Sequence, residues 1–163
     1  MDLLEDNVDC DVEQMSTVLH FRQASLNCCM DLQHIERVVP IASVQRLPSE
    51  SPSTVGLLNL NGHGVPIIDL AFHLNVSSGK KHSLDACYII CNGKDGDIGL
   101  LTCGIDGIAS YPEARFQLQS KFEQSNQPFL STVNSEYGLA YLLDIERINR
   151  IIMGDFQENR NAK

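Results

Sequence analysis

The sequence predicts a mainly β domain, either a sandwich or a pair of small barrels. Short apolar runs of strand length recur along the chain and are separated by glycine-bearing turns. Asn61-Gly62, followed by His63-Gly64, lies between two such runs and is the strongest hairpin signal, because both positions of such a turn take φ > 0. Helical spacing is confined to a few short stretches. The 163 residues are one domain's worth, or two small lobes sharing a core. A chain of this size buries about two-thirds of its unfolded surface, so it folds without a metal or a disulfide.

Residues 1–15 read as a flexible acidic tail. The run Thr17 to Arg22 alternates, with Val18, His20 and Arg22 on one face and Thr17, Leu19 and Phe21 on the other. SLNCCM follows as its hairpin partner. Asp31 is placed to cap LQHIERVV, where Leu32, Ile35, Val38 and Val39 recur at spacings of three and four and predict a short amphipathic helix. Pro40 stops it. IASVQRL reads as a third strand and LPSESPST as a stiff exposed loop. VGLLNLN and VPII form the Asn61-Gly62 hairpin. Asp69 opens a short helix, DLAFHLN, and SSGKKHS is a polar linker. DACYIICN and DIGLLTC pair around a tight turn at Gly93 to Gly96, and GIDGIASYP extends them. PEARFQLQSKFEQSNQ is polar and irregular, with one helical turn. PFLSTVN and GLAYLLD pair through Ser135-Glu136-Tyr137. DIERINRIIM closes the domain as a helix capped by Asp144, with Ile145, Ile148, Ile151 and Ile152 as its apolar stripe. Residues 154–163 read as a flexible polar tail.

The formal net charge of −9 is unevenly spread. Asp2, Glu5, Asp6, Asp9, Asp11 and Glu13 crowd the first 14 residues, which leaves 15 acidic against 12 basic residues in the rest. Such a body lacks the clustered basic surface that nucleic acid or anionic lipid requires. No run approaches the roughly 18 to 20 apolar residues of a membrane span. The acidic start is no signal peptide. Six cysteines without an export signal read as free thiols in a reducing compartment, so a cytoplasmic location is expected.

No catalytic constellation emerges. Cys28 and Cys29 are adjacent, so a strand sends one to each face. Cys87 and Cys91 share a face but are too far apart along it to pair. No C-x-x-C occurs, and no Cys/His spacing fits a zinc ligand set. The histidines, His20, His34, His63, His73 and His82, make no H-x-x-x-H. The NGHG, NGKDG and GIDG glycines lie between strands, not where a phosphate-cradling helix begins. Asp69 and Asp106 sit in apolar settings and read as a cap and a turn residue rather than as an acid–base pair. No catalytic residue, cofactor or metal is expected. A binding module is the remaining reading, with a thiol enzyme or redox sensor at Cys28 or Cys29 as the contrary one.

Residues 55–74, VGLLNLNGHGVPIIDLAFHL, resemble the core motif of CheW-like domains, whose usual form is G-x-x-N-L-R-G followed by V-P-x-x-D-L. FRQASLNCCMDLQHIERVV is similar to the family's opening hairpin and short helix. IDGI, Ile105 to Ile108, resembles its V-D-x-V segment, FLSTVN its Y-L-x-G-x-x strand, and LLDIERI its closing segment. The resemblance spans about residues 16–153. It implies two intertwined five-stranded SH3-like β-barrel lobes with short helices, roughly residues 24–83 and 84–153, with the first strand shared.

The resemblance also implies a role: a non-catalytic adaptor linking chemoreceptor cytoplasmic tips to the regulatory domain of a chemotaxis-type histidine kinase. In rings, it would also meet itself or related adaptor domains. Carried over by position, the partner-binding groove comprises Ile35, Arg37, Val38, Val39, Gly56, Asn61 and Gly62. An aliphatic groove of this kind accepts the apolar ridge of a helical hairpin. Three positions depart from the family pattern. Asn61 stands where relatives carry Arg, Arg37 where they often carry Glu, and Thr132 where they tend to carry Gly. The Arg–carboxylate pair of relatives would here become an Arg–amide hydrogen bond. A ring- or filament-forming scaffold subunit, or an adaptor of a pilus-motility pathway, is the alternative.

Overall fold

The computed structural model describes residues 13–46, 53–72, 74, 84–118 and 127–161. Two sheets make up the domain. One runs in the order β8-β1-β2-β11-β10-β9, from β1 (Met15–Gln23), β2 (Leu26–Asp31), β8 (Gly104–Pro112), β9 (Gln117–Leu118), β10 (Phe129–Ser135) and β11 (Gly138–Leu143). The other runs β3-β6-β7-β5-β4, from β3 (Ile35–Pro40), β4 (Thr54–Leu60), β5 (His63–Ile68), β6 (Cys87–Gly93) and β7 (Gly96–Thr102). The helix α1 (Ile145–Asn161) closes the chain.

Each sheet curls back on itself through one bent segment. In the first, β8 turns through a single 3-10 turn (Glu113–Arg115) into β9, which pairs with β10 at the opposite edge. The strands at both ends of that sheet are therefore one bent strand, and the barrel has five. In the second, the chain leaving β3 crosses to the far edge and Gln45 bridges Leu57 of β4. Gln45 N donates to Leu57 O at 2.7 Å and Leu57 N to Gln45 O at 2.8 Å. Closure in this way removes sheet edges, the feature that otherwise invites unwanted pairing. Gly56 makes this second closure possible. Its φ is +155°, and a Cβ there would sit 2.7 Å from Gln45 O.

The two barrels share one core. Val18, Cys29, Tyr111, Val133 and Ala140 fill the first barrel, and Leu58, Val65, Ile67, Tyr88, Ile90 and Leu101 fill the second. Between the barrels lie Leu19, Phe21, Met30, Ile68, Ile89 and Leu100, with Ile145, Ile148 and Ile152 of α1. Neighbours in sequence therefore point opposite ways: Cys28 to the shared core and Cys29 into a barrel, Ile89 to the shared core and Ile90 into a barrel. This accounts for the unbroken apolar runs, since a strand buried on both faces has no solvent side to alternate with.

Several sequence expectations change. LQHIERVV is not a helix. Asp31 accepts from Gln33 N at 3.0 Å and caps only the 3-10 turn Leu32–His34, after which Ile35–Pro40 extends as β3 against β6. The β-branched residues and the available edge of β6 outweigh a stripe too short to sustain a helix. In the described part of IASVQRL, residues 41–46, Gln45 forms a single bridge rather than a strand. Within DLAFHLN, Leu70–Phe72 forms a 3-10 turn; His73 and Asn75, like SSGKKHS, lie outside the described residues. The helix α1 continues to Asn161, past residue 153 where the apolar stripe ends. The sheets do not divide the chain at residues 83 and 84: β6 and β7 join β3–β5, and β2 joins β8–β11.

Candidate functional site

The seven candidate residues fall on three parts of the second barrel. Ile35, Arg37, Val38 and Val39 lie on β3, which borders the sheet beside β6. A bulge between Ile35 and Arg37 displaces Glu36 and changes which side chains face out. Ile35 is half-buried against the shared core, and Val39 is half-buried against the barrel interior. Val38 points away from both and is 43% exposed, and Ile41 just beyond it is 42% exposed. The outward apolar surface is thus Val38 and Ile41 more than Ile35.

Asn61 and Gly62 form the two-residue turn between β4 and β5, with φ of +53° and +88°. Asn is the non-glycine residue that best tolerates the first of these. Asn59 Oδ1 accepts from Gly62 N at 2.9 Å and braces the turn. Gly56 is buried in the barrel seam, where it serves closure rather than an open groove.

Arg37 does not find its carboxylate across the strands, nor does the structure bond it to Asn61. Its guanidinium donates to Glu36 Oε1 at 3.0 Å. Asp97 on β7 adds a second carboxyl, hydrogen-bonded to Glu36 and close to both Arg37 and His63. Arg37 holds the Glu36 carboxyl below its ordinary range, with the Asp97 hydrogen bond acting the same way. Asp97 is pushed up, by desolvation first and then by the Glu36 hydrogen bond and charge. Glu36 and Asp97 were not singled out from the sequence, and His63 was read only as a turn residue. Asp97 is 61 positions from Glu36, and only the β3-β6-β7 pairing brings them together.

The thiols are a poor nucleophile set. Cys28, Cys29 and Cys91 are free and fully buried. Burial pushes Cys28 well up and raises Cys29 and Cys91 to about 12, the reverse of what an activated thiol needs. Among the described residues, no group of three or more His, Cys, Asp or Glu side chains is arranged to hold a metal ion. No helix of the described residues is long and apolar enough to cross a membrane.

Comparison with known proteins agrees with this architecture. The chemotaxis protein CheW of Thermotoga maritima is 24% identical over 131 residues, covering 80% of this chain and 85% of the relative. The crystal structure of the scaffolding protein TtCheW from Thermoanaerobacter tengcongensis superposes with a TM-score of 0.73 at 17% identity, covering 80% of this chain and 90% of that one. The model of the CheW-like domain matches residues 17–152, nearly all of the two barrels and the start of α1, and the chain belongs to the CheW-like domain family.

Proposed function

We propose that this protein is a non-catalytic coupling adaptor that links chemoreceptor cytoplasmic tips to the regulatory domain of a chemotaxis-type histidine kinase. The observation that carries the reading is that a CheW-like domain occupies residues 17–152 and leaves Val38 and Ile41 of the β3 region exposed. Val38 and Ile41 offer an aliphatic contact, and Arg37, Glu36 and Asp97 offer a polar rim. This is the usual division of labour at a recognition surface.

The test is a pull-down of receptor-tip and kinase regulatory-domain fragments from the same organism. Both are expected to bind the wild type, and Val38→Asp is expected to weaken receptor binding about tenfold or more. Binding to neither fragment would sink the proposal.

A second reading is favoured by the Arg37–Glu36 pair. Relatives' Arg at the position of Asn61 is missing here, and Arg37 is held by its own neighbour. The adaptor would then read a divergent receptor, or serve a pathway such as pilus motility, or build rings or filaments without a receptor. Asn61→Arg separates these: gained receptor affinity supports retuned recognition, and no gain with concentration-dependent light scattering supports a scaffold.

A further inference from the structure

We propose that the first barrel carries an acid-operated latch: a proton taken up from solvent at His20 Nδ1 releases the Tyr137 ring and the β10–β11 turn from β8, and leaves the second barrel closed. The latch belongs to the fold and does not depend on receptor or kinase coupling.

A hydrogen-bond chain fixes the state of the histidine. Ser135 Oγ donates to Gly138 O at 2.8 Å, which commits its proton. The Tyr111 hydroxyl, hydrogen-bonded to the Ser135 side chain, therefore donates to it. Having spent its own proton, Tyr111 accepts from His20 Nε2 at 2.8 Å. His20 is thus the Nε2–H tautomer, and its Nδ1 is a bare acceptor. That atom is buried and has no hydrogen-bond partner. It is the only ring atom left to take a proton, and the imidazolium so formed would aim a buried donor at no acceptor.

Tyr137 covers this ring from the turn. Its own ring is tilted against His20 at 4.9 Å, and its hydroxyl is anchored on Asp106 O at 3.3 Å. Gly107, the residue paired with His20, leaves room for that hydroxyl, since a Cβ there would sit 2.5 Å from it. The half-buried Tyr137 is therefore the cover, and one long hydrogen bond at its tip fastens it to β8.

The surrounding charges set the direction. On β1, Arg22 is spent on Asp106 Oδ1 at 3.1 Å. On β2, the Cys29 thiol paired with His20 is raised to about 12 and stays neutral. Desolvation pushes up the Tyr111 and Tyr137 hydroxyls, and Arg115 lies 5.6 Å from the Tyr111 ring centre. Burial keeps the proton off His20, and the charges of Asp106 on β8 and Glu136 in the turn offset this in part. Opening removes the burial, so the open form binds the proton more tightly and proton uptake favours opening. Among the described residues the second barrel has no such group: His63 is exposed, and His34 ahead of β3 is only half-buried.

Amide hydrogen exchange on the full chain, expressed as protection factors at about pH 7.5 and about pH 5.5, tests the latch. Protected amides within residues 133–140 are expected to lose about tenfold in protection at the lower pH, the ratio that one proton binding the open form near 6.5 allows. Those of β6 and β7 are expected to hold within about twofold. An equal fall in both barrels, or none at the turn, overturns the proposal. His20→Gln keeps a donor toward Tyr111 and takes up no proton, so it is expected to abolish the fall; a fall that persists overturns the proposal. Gly107→Ala crowds the Tyr137 hydroxyl and is expected to open the turn without acid, which returns the His20 titration followed by NMR to near 6.5. A His20 that titrates there as in wild type overturns the proposal, and this arm stands even if His20→Gln fails to fold. No receptor or kinase fragment enters these measurements, so their outcome is independent of the coupling pull-down.

Discussion

The two barrels solve one geometric problem with different materials. Each closes a five-stranded wall by bending a strand across to the opposite edge. The first does so with a 3-10 turn and two residue pairs, Ser131 with Leu118 and Thr132 with Gln117. The second does so with one bridge and a glycine. Their interiors differ too. The second is filled by aliphatic side chains around Tyr88, whose hydroxyl reaches Ala42 O at 2.9 Å. The first encloses His20, 1% exposed, whose Nε2 shares a 2.8 Å hydrogen bond with the Tyr111 hydroxyl. The Tyr137 ring lies 4.9 Å from the His20 ring, and Tyr137 OH donates to Asp106 O at 3.3 Å. Arg22 Nε donates to Asp106 Oδ1 at 3.1 Å, beside the bulge opposite His20 and Phe21. The first barrel is thus tied by a polar cluster and the second by close approach of backbones. The candidate binding residues all lie on the second.

The comparison breaks most sharply at Gly56. Gly56→Val drives a side chain into Gln45 O and demands a φ that β-branched residues avoid, so it is expected to cost about 3 kcal/mol by urea unfolding. A cost below about 1 kcal/mol would mean that the second barrel does not depend on this closure.

Ile35→Asp comes next. Ile35 packs against the shared core, so an expected cost of about 2 kcal/mol replaces the near-neutral effect that an open groove residue would show. Val38→Asp, two-fifths exposed, is expected to stay within about 0.5 kcal/mol of wild type. The pair therefore separates support of the core from recognition: both lose partner binding, and only Ile35→Asp loses Tm.

Acid distinguishes the barrels by a smaller margin. Burial lowers the pKa of His20, and the nearby charges of Asp106 and Glu136 offset this in part. The folded state therefore holds His20 neutral while the unfolded chain takes up a proton near 6.5. Stability from this site is fully present above pH 6.5 and is lost as pH falls toward the lowered folded value. Wild type is expected to lose stability over that interval, and His20→Phe is expected to flatten that part of the profile. An unchanged slope in His20→Phe would assign the acid sensitivity to another group.

The hairpin turns give the smallest contrast. Asn61 takes its φ of +53° readily, whereas Ala24 in the β1–β2 turn is held at +55°. Ala24→Asn is expected to stabilise the protein by about 0.5–1 kcal/mol, seen as a raised Tm, by relieving a conformation that Ala tolerates poorly.

Local chemistry made much of the fold legible. Asn61-Gly62 marked its hairpin because few residues accept two successive left-handed positions. Ser135-Glu136-Tyr137 and the Gly93–Gly96 turn marked theirs, and the isoleucines at 145, 148, 151 and 152 marked α1. The adjacent cysteines 28 and 29 were rightly sent to opposite faces. LQHIERVV misled because Leu32, Ile35, Val38 and Val39 have helical spacing, yet their side chains suit the edge that β6 offers. A short apolar stripe does not say which neighbour will cover it.

What the sequence by itself determined was the strand inventory, the turns and the family resemblance, since these rest on residues within a few positions of one another. The tertiary structure decided which edge each bent strand crosses to, and which barrel owns β6, β7 and β2. It also gave Arg37 a partner in Glu36, placed Asp97 beside them and buried Ile35 by half. Those outcomes depend on pairing register between distant strands, and register is a property of the assembled sheet rather than of any stretch of chain.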